Sequence, residues 1–269
     1  MFSTPRSKYD SFSKNRAGKS SKKAKSSFRD PKVSRRFEEA ASTSAQTTPQ
    51  TTPQTSPSLT SPIITVSVGR DQRLFAAHED VLSNSSYFQH IIQGQFWEGG
   101  PRQISLPDEE PEIFSSVLEY LYKGDYYPRL VMDKKRNSWS LEDGNNVGRS
   151  SVETTVYING TGVNILKDTV IYCVAQKYNL PELQRLALRK QGLQSGVQCS
   201  TILTSARYAY ANTSDNDSKL RAHYLALIIR SRHTFKRSGT MQNEMESGGK
   251  LFFDLFVAMV NHMDDMQPH

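Results

Sequence analysis

Apolar residues recur along this chain with two different periods, and the switches between them lay out a fold. Ile64, Val66 and Val68 alternate with other residues at a spacing of two, the signature of a strand with one buried face. The polar turn Arg70-Asp71-Gln72-Arg73 follows, and Leu74-Phe75-Ala76 supplies the hairpin partner. From Ala77 to Leu82 the period becomes helical, and a second helical run carries Tyr87, Phe88, Ile91 and Ile92. Gln103 to Leu106 reads as a third short strand, with Ile104 and Leu106 on one face. Pro111 to Tyr122 then places Phe114, Val117, Leu118 and Leu121 at i, i+3, i+4 and i+7, a stripe that faces a core.

Past Gly124 the pattern lapses. Residues 131–165 read as an insertion. Its polar interval 133–153, with Lys134-Lys135-Arg136 and Glu142-Asp143-Gly144-Asn145-Asn146, is expected to form a surface loop. Thr154 to Ile158 is strand-like, and Asn159-Gly160 is a strong turn signal. Such an insertion costs little, because loop-closure entropy grows only logarithmically with length. A helical pattern resumes in the run from Asp168 to Ala187, where Val170, Val174 and Tyr178 share a face and Pro181 opens a second helix. Residues 192–269 read as helical, with Ile202, Ala206 and Tyr210 on one helix and Leu220 to Ile229 on another. Asp215 or Asp217 would cap the latter. Met241 to Gly249 is expected to be an exposed loop, and Leu251 to Met263 a helix that is apolar on several sides.

Composition changes the picture at the N-terminus. Only 36% of the 269 residues are hydrophobic and mean hydropathy is −0.60, low for a chain folded throughout. Residues 1–61 hold Ser, Thr, Lys, Arg, Gln and Pro with almost no aliphatics. They cannot bury enough apolar surface to offset an ordering cost of about 1–2 kcal/mol per residue, so this region is expected to be disordered. Its TTPQTTPQTSP run is an extended, partly polyproline-like linker. The net charge of +7 hides an asymmetry. Residues 1–37 hold twelve Lys and Arg against two Asp, a net of +10, and the other 22 basic and 25 acidic residues give −3. The basic cluster of Lys19, Lys22, Lys23 and Lys25 is of the kind read by nuclear import, and a plain solubilising tail is the other reading. Its aromatics are scattered singly, so only non-specific, salt-sensitive contact with nucleic acid is expected.

The ordered set of Val68-Gly69, Phe75-x-x-His78, Val81-Leu82, Ser86-x-Phe88, Ile104-x-Leu106-Pro107-Asp108, Phe114 through Leu118, Tyr120-Leu121-Tyr122 and Gly124 resembles the BTB/POZ domain. The run around Lys177-Tyr178-x-Leu180-x-x-Leu183 resembles that domain's closing helical pair. The resemblance implies an α+β fold, a small sheet flanked by a cluster of helices. The expected division is a basic, Thr/Pro/Gln-rich region over 1–61, the domain over 62–190 with its insertion, and a helical C-terminal extension over 191–269. No zinc-finger, Kelch or MATH-like segment accompanies it, as in the stand-alone type common in fungi.

The resemblance also implies a use, which is association between proteins. Many members recruit a cullin-3 ubiquitin ligase through a hydrophobic residue, any residue and a Glu before the third strand, and Phe96-Trp97-Glu98 stands there. The other use is oligomerisation or scaffolding, with nuclear regulation as its setting. Dimeric relatives carry a preceding element that swaps between subunits, and place an Asp and a basic residue where this chain has Ile63 and Glu79. The resemblance therefore disfavours a swapped dimer and leaves self-association open.

The sequence offers no enzyme signature. It has no GxSxG, HExxH, CxxC, Walker loop or GxGxxG. Asp108-Glu109-Glu110-Glu112 is read as a helix N-terminus, with Asp108 capping and the acids favoured by the macrodipole. His78 is read as a structural imidazole in the first turn of a helix, bridging backbone groups. Cys173 and Cys199 are read as small buried hydrophobes. His223, His233 and His262 have no ligand spacing. No cofactor or metal is expected. The run from Leu251 to Val260 is about half a membrane span and contains Asp254, and the N-terminus lacks a signal-peptide core. The expected setting is cytoplasm, nucleus or both.

Overall fold

Strand β1 (Ile63–Val68) lies at the centre of a three-stranded sheet, antiparallel to β2 (Arg73–His78) and parallel to β3 (Gln103–Leu106). The two-residue period explains the register: Ile64, Val66 and Val68 are buried, and so are Ile104 and Leu106. The computed structural model describes residues 60–94, 102–134, 137–142, 155–194 and 196–265. The turn between β1 and β2 requires Gly69, whose φ is +78° and where an added Cβ would lie 3.0 Å from Cγ of Pro111.

Helices α1 (Glu79–Leu82), α2 (Ser86–Gly94) and α3 (Pro111–Lys123) cover this sheet. Pro111 opens α3 and Gly124 closes it in the left-handed conformation, donating its N–H to the carbonyl of Tyr120 at 2.7 Å. The stripe is rotated from the expected one. Ile113, Phe114, Ser116 and Val117 are buried, whereas Leu118 and Leu121 are half-buried. Phe114 meets Phe75 and Phe88 edge-on, with centroids 5.2 and 6.2 Å apart, and Phe88 in turn lies 4.7 Å from Tyr178. Tyr178 follows α4 (Lys167–Lys177), which packs against α5 (Pro181–Leu193). The aromatic cluster thus links the first elements to the closing pair.

Between α3 and α4 the chain holds more structure than its polarity suggests. The expected surface loop contains a strand: β4 (Leu130–Asp133) pairs antiparallel with β5 (Ser138–Leu141). Val131, Met132 and Trp139 remain exposed on this ribbon, which is why no alternation is visible in the sequence. β6 (Thr155–Ile158) and β7 (Val163–Leu166) form a second ribbon, and Val156, Ile158, Ile165 and Leu166 are all buried. Their link is four residues, 159–162, and its left-handed residue is Gly162 rather than Gly160.

The C-terminal helices are α6 (Cys199–Asn212), α7 (Lys219–Arg230), α8 (Arg232–Lys236), α9 (Gly239–Ser247) and α10 (Lys250–Asp265). α9 replaces the expected loop. Its single buried residue, Met241, leaves no stripe by which the sequence could announce a helix. One apolar core runs from Ile64 on β1 to Leu255 on α10, so these helices share it. Polar bonds reinforce the join: Ser205 accepts the Leu166 N–H at 2.9 Å, and Thr169 shares a 2.5 Å hydrogen bond with the Tyr224 hydroxyl on α7. Asp217 accepts the Lys219 N–H at 3.3 Å at the start of α7, and also holds Tyr172 and Gln184. Asp215 pairs instead with Arg221 and Lys250.

Candidate functional site

The segment singled out by sequence, Phe96, Trp97 and Glu98, falls between α2 and β3 and lies outside the described residues. Both of its flanks are held. α2 buries Phe88 and Ile92. On the other side, the Arg102 carbonyl accepts the Thr65 N–H at 2.8 Å, and its guanidinium pairs with Glu79. The basic cluster of Lys19, Lys22, Lys23 and Lys25 also lies outside the described residues.

Glu79 and Ile63 stand next to this pinned edge. Ile63 faces His78 across the β1–β2 ladder and is exposed. His78 ends β2 rather than entering α1, and its partner is a side chain. Its Nδ1 shares a 2.7 Å hydrogen bond with the Tyr122 hydroxyl, which also accepts the His78 backbone N–H at 3.0 Å. The imidazole therefore ties β2 to the end of α3. The carboxylates before α3 are likewise structural, but by other bonds than expected. Glu110, not Asp108, occupies the cap position and makes no side-chain cap bond. It accepts the backbone N–H and side-chain Nδ2 of Asn159 at 2.8 and 2.9 Å, while Glu109 pairs with Lys177 at 2.6 Å.

A buried ionic knot lies where α3 gives way to β4. The Lys190 side chain is 0% exposed. Its ammonium pairs with Asp125, donates to the carbonyl oxygens of Tyr126 and Pro128, and lies 3.6 Å from the Tyr126 ring centroid. The Tyr126 hydroxyl donates to Asp168 at 2.7 Å, and Gln194 donates to the other Asp168 oxygen at 2.8 Å. Burial lowers the pKa of Lys190 against the opposing pull of Asp125, and burial raises that of Asp168. Sequence reasoning missed both residues, because a Lys that follows Arg189 directly reads as solvated. Every polar atom of the knot that is named here has a protein partner, so it locks structure and offers nothing to a substrate.

A different site opens at the far end. The cavity between α7, α8, α9 and α10 has a volume of about 650 Å³, within the range of ligand-binding clefts. Ile228, Phe235, Met241, Met245 and Met259 supply its apolar lining. Arg232, His233, Lys236 and Arg237 supply its polar edge, and all four are exposed. No carboxylate lines it. Among the described residues Arg232, Lys236 and Arg237 form no ion pair. The signal was available in the sequence, since residues 218–243 hold six Lys and Arg and no Asp or Glu. Such a groove can bind a ligand that is apolar and anionic together, and it contains no acid–base pair.

Cys173 is buried and Cys199 half-buried, both as free thiols, and burial pushes the Cys173 thiol up to about 12. Among the described residues no group of three or more His, Cys, Asp or Glu is placed to hold a metal ion. None of the described helices is long and apolar enough to cross a membrane. In comparison with known families, residues 63–135 match the model of the BTB/POZ domain. That interval begins at β1 and ends two residues after β4, and it contains Phe96, Trp97 and Glu98. No curated protein matches the chain.

Proposed function

We propose that this chain, which carries a BTB/POZ domain and with it a role in protein–protein interaction, is a non-catalytic substrate adaptor for a cullin-3-type ubiquitin ligase. The supporting observation is position. Phe96-Trp97-Glu98 lies within the matched interval, after α2 and before β3, where adaptors with this domain carry their hydrophobic-x-Glu motif. An aromatic anchor of this kind fills a pocket on a partner helix while the neighbouring carboxylate takes a donor, and truncating such an anchor costs about 2 kcal/mol or more. In this reading residues 62–190 dock the ligase and 191–269 face the substrate. The groove of Arg232, Lys236 and Arg237 is then the substrate surface, suited by charge to an acidic segment with apolar anchors. Residues 1–61 supply a basic segment before the domain, and the Lys19–Lys25 cluster directs the protein to the nucleus as well as the cytoplasm.

A pull-down of the full chain with the purified N-terminal domain of cullin-3 tests the ligase step. Wild type is expected to bind in the micromolar range or tighter. Phe96→Ala combined with Glu98→Lys should weaken binding at least about thirtyfold. No binding by wild type, or equal binding by the double variant, removes the adaptor reading. The second reading, a scaffold or oligomerising module without a ligase, would then stand, because an interaction role does not depend on Phe96.

A further inference from the structure

Helix α10 presents two unlike faces. Leu251 and Leu255 are buried against the core, and Asp254 accepts a 2.9 Å hydrogen bond from the Tyr210 hydroxyl. The other face carries Phe253, Phe256, Val257 and Met263, with Phe253 65% and Phe256 59% exposed. With the half-buried Val260 they form the series 253, 256, 257, 260, 263, whose spacings of three, one, three and three make a continuous seam on one side of a helix. A seam of this size is ordinarily covered by another helix.

The charges of α10 say what kind of helix. Lys250 opens it, its first turn holds no acid, and Asp264-Asp265 close it, with His262 the one basic residue of the last turn. The helix macrodipole favours the reverse arrangement by about 0.3–1 kcal/mol per charge. Lys250 contacts Asp215, yet its side chain is 53% exposed and remains on the surface. A second helix running antiparallel beside α10 would correct both ends at once, provided its own ends carried the same inverted charges. A copy of α10 meets that requirement.

We propose that α10 pairs with α10 of a second copy of this chain, antiparallel, about a two-fold axis near Ala258. This register sets Phe253 against the partner's Met263 and Phe256 against the partner's Val260. It carries Asp264 and Asp265 to the first turn of the partner's α10, at the positive end of that helix and beside the partner's Lys250. The contact is self-complementary, as a two-fold interface must be. One helix face is smaller than the roughly 800 Å² per partner of a standard interface, so the dimer is weak and concentration-dependent. The pairing is independent of cullin docking, which concerns the segment between α2 and β3.

Sedimentation velocity on the full chain across the micromolar range tests it. The expected result is a dimer whose population rises with concentration. Phe253→Asp with Phe256→Asp should weaken association at least about tenfold while leaving far-UV circular dichroism unchanged, since both rings are exposed. Two charge variants give a sharper result. Lys250→Glu alone sets Glu against the partner's acids, and Asp264→Lys with Asp265→Lys sets Lys against the partner's Lys250, so each should self-associate less than wild type. Mixed, the two variants match at both ends and should dimerise more strongly than either alone. A monomer at every concentration overturns the proposal. So does an association that the double Phe variant leaves intact, because it then lies on another surface. A mixture no stronger than its components also overturns it.

Discussion

Lys190 and Lys236 carry the same ammonium group into opposite surroundings. Lys190, on α5, is closed off from solvent and held by one carboxylate, two backbone carbonyls and an aromatic face. Lys236, on α8, is exposed at the edge of an apolar groove and has no acidic partner among the described residues. The difference separates what each region does. A charge is stripped of water only where its partners replace that water, and the result is rigidity. A charge left in water beside apolar surface retains attraction for something outside the chain. The α3–α5 junction is finished; the α7–α10 groove is open to a partner.

The largest expected effect comes from opening the knot. Lys190→Ala leaves the carbonyls of buried Tyr126 and Pro128 without this donor and takes the cation from half-buried Asp125, which keeps the N–H groups of Tyr126 and Leu130; a buried acceptor left unsatisfied costs about 1–3 kcal/mol. Chemical denaturation should show this as a large fall in midpoint. A loss under 1 kcal/mol would mean that water replaces the ammonium, and the contrast with Lys236 would collapse.

Next in size is a pH dependence from the same knot. Burial raises the Asp168 pKa, so the folded chain keeps this proton where the unfolded chain has already released it. In that window the native state binds more protons than the unfolded state, and stability falls as pH rises from the ordinary carboxylate range through the raised value. Asp168→Asn removes the titration. Denaturation midpoints measured across pH should then lose that part of the slope, and a slope identical to wild type would place the titration on another group.

These two regions were not equally legible in the sequence. Alternation at Ile64, Val66 and Val68, the helical run of α2 and Pro111 at the start of α3 marked the first elements because each reports a local period or a local backbone need. Lys190 gave no signal, since its burial depends on carbonyls 62 and 64 residues away. α9 was hidden because a helix that buries only Met241 has no stripe, and β4–β5 because an exposed ribbon has no alternation. Asp108 looked like the cap because the type is right, yet the chain turns helical two residues later, at Glu110. The acid-free run from 218 to 243 was readable as charge, but only the packing of α7 to α10 shows that it borders an apolar hollow.

The smallest expected effect on stability is at the groove itself, and its sign is the sharper test. Arg232→Glu with Lys236→Glu changes two exposed side chains that form no ion pair among the described residues, so surface substitutions of this type should stay within about 0.5 kcal/mol. The direction follows from the neighbours. With Arg230, His233 and Arg237 close in sequence and no acid between 218 and 243, the reversed charges meet cations and relieve their mutual repulsion. Thermal midpoints at low salt should therefore be unchanged or slightly higher than wild type. The gain should vanish as added salt shortens the screening length from about 30 Å at 0.01 M to about 8 Å at 0.15 M. A clear loss of stability at low salt would show that these cations are already satisfied within the chain. The groove would then belong with Lys190 as structure, and no unmet charge would remain there for a partner to neutralise.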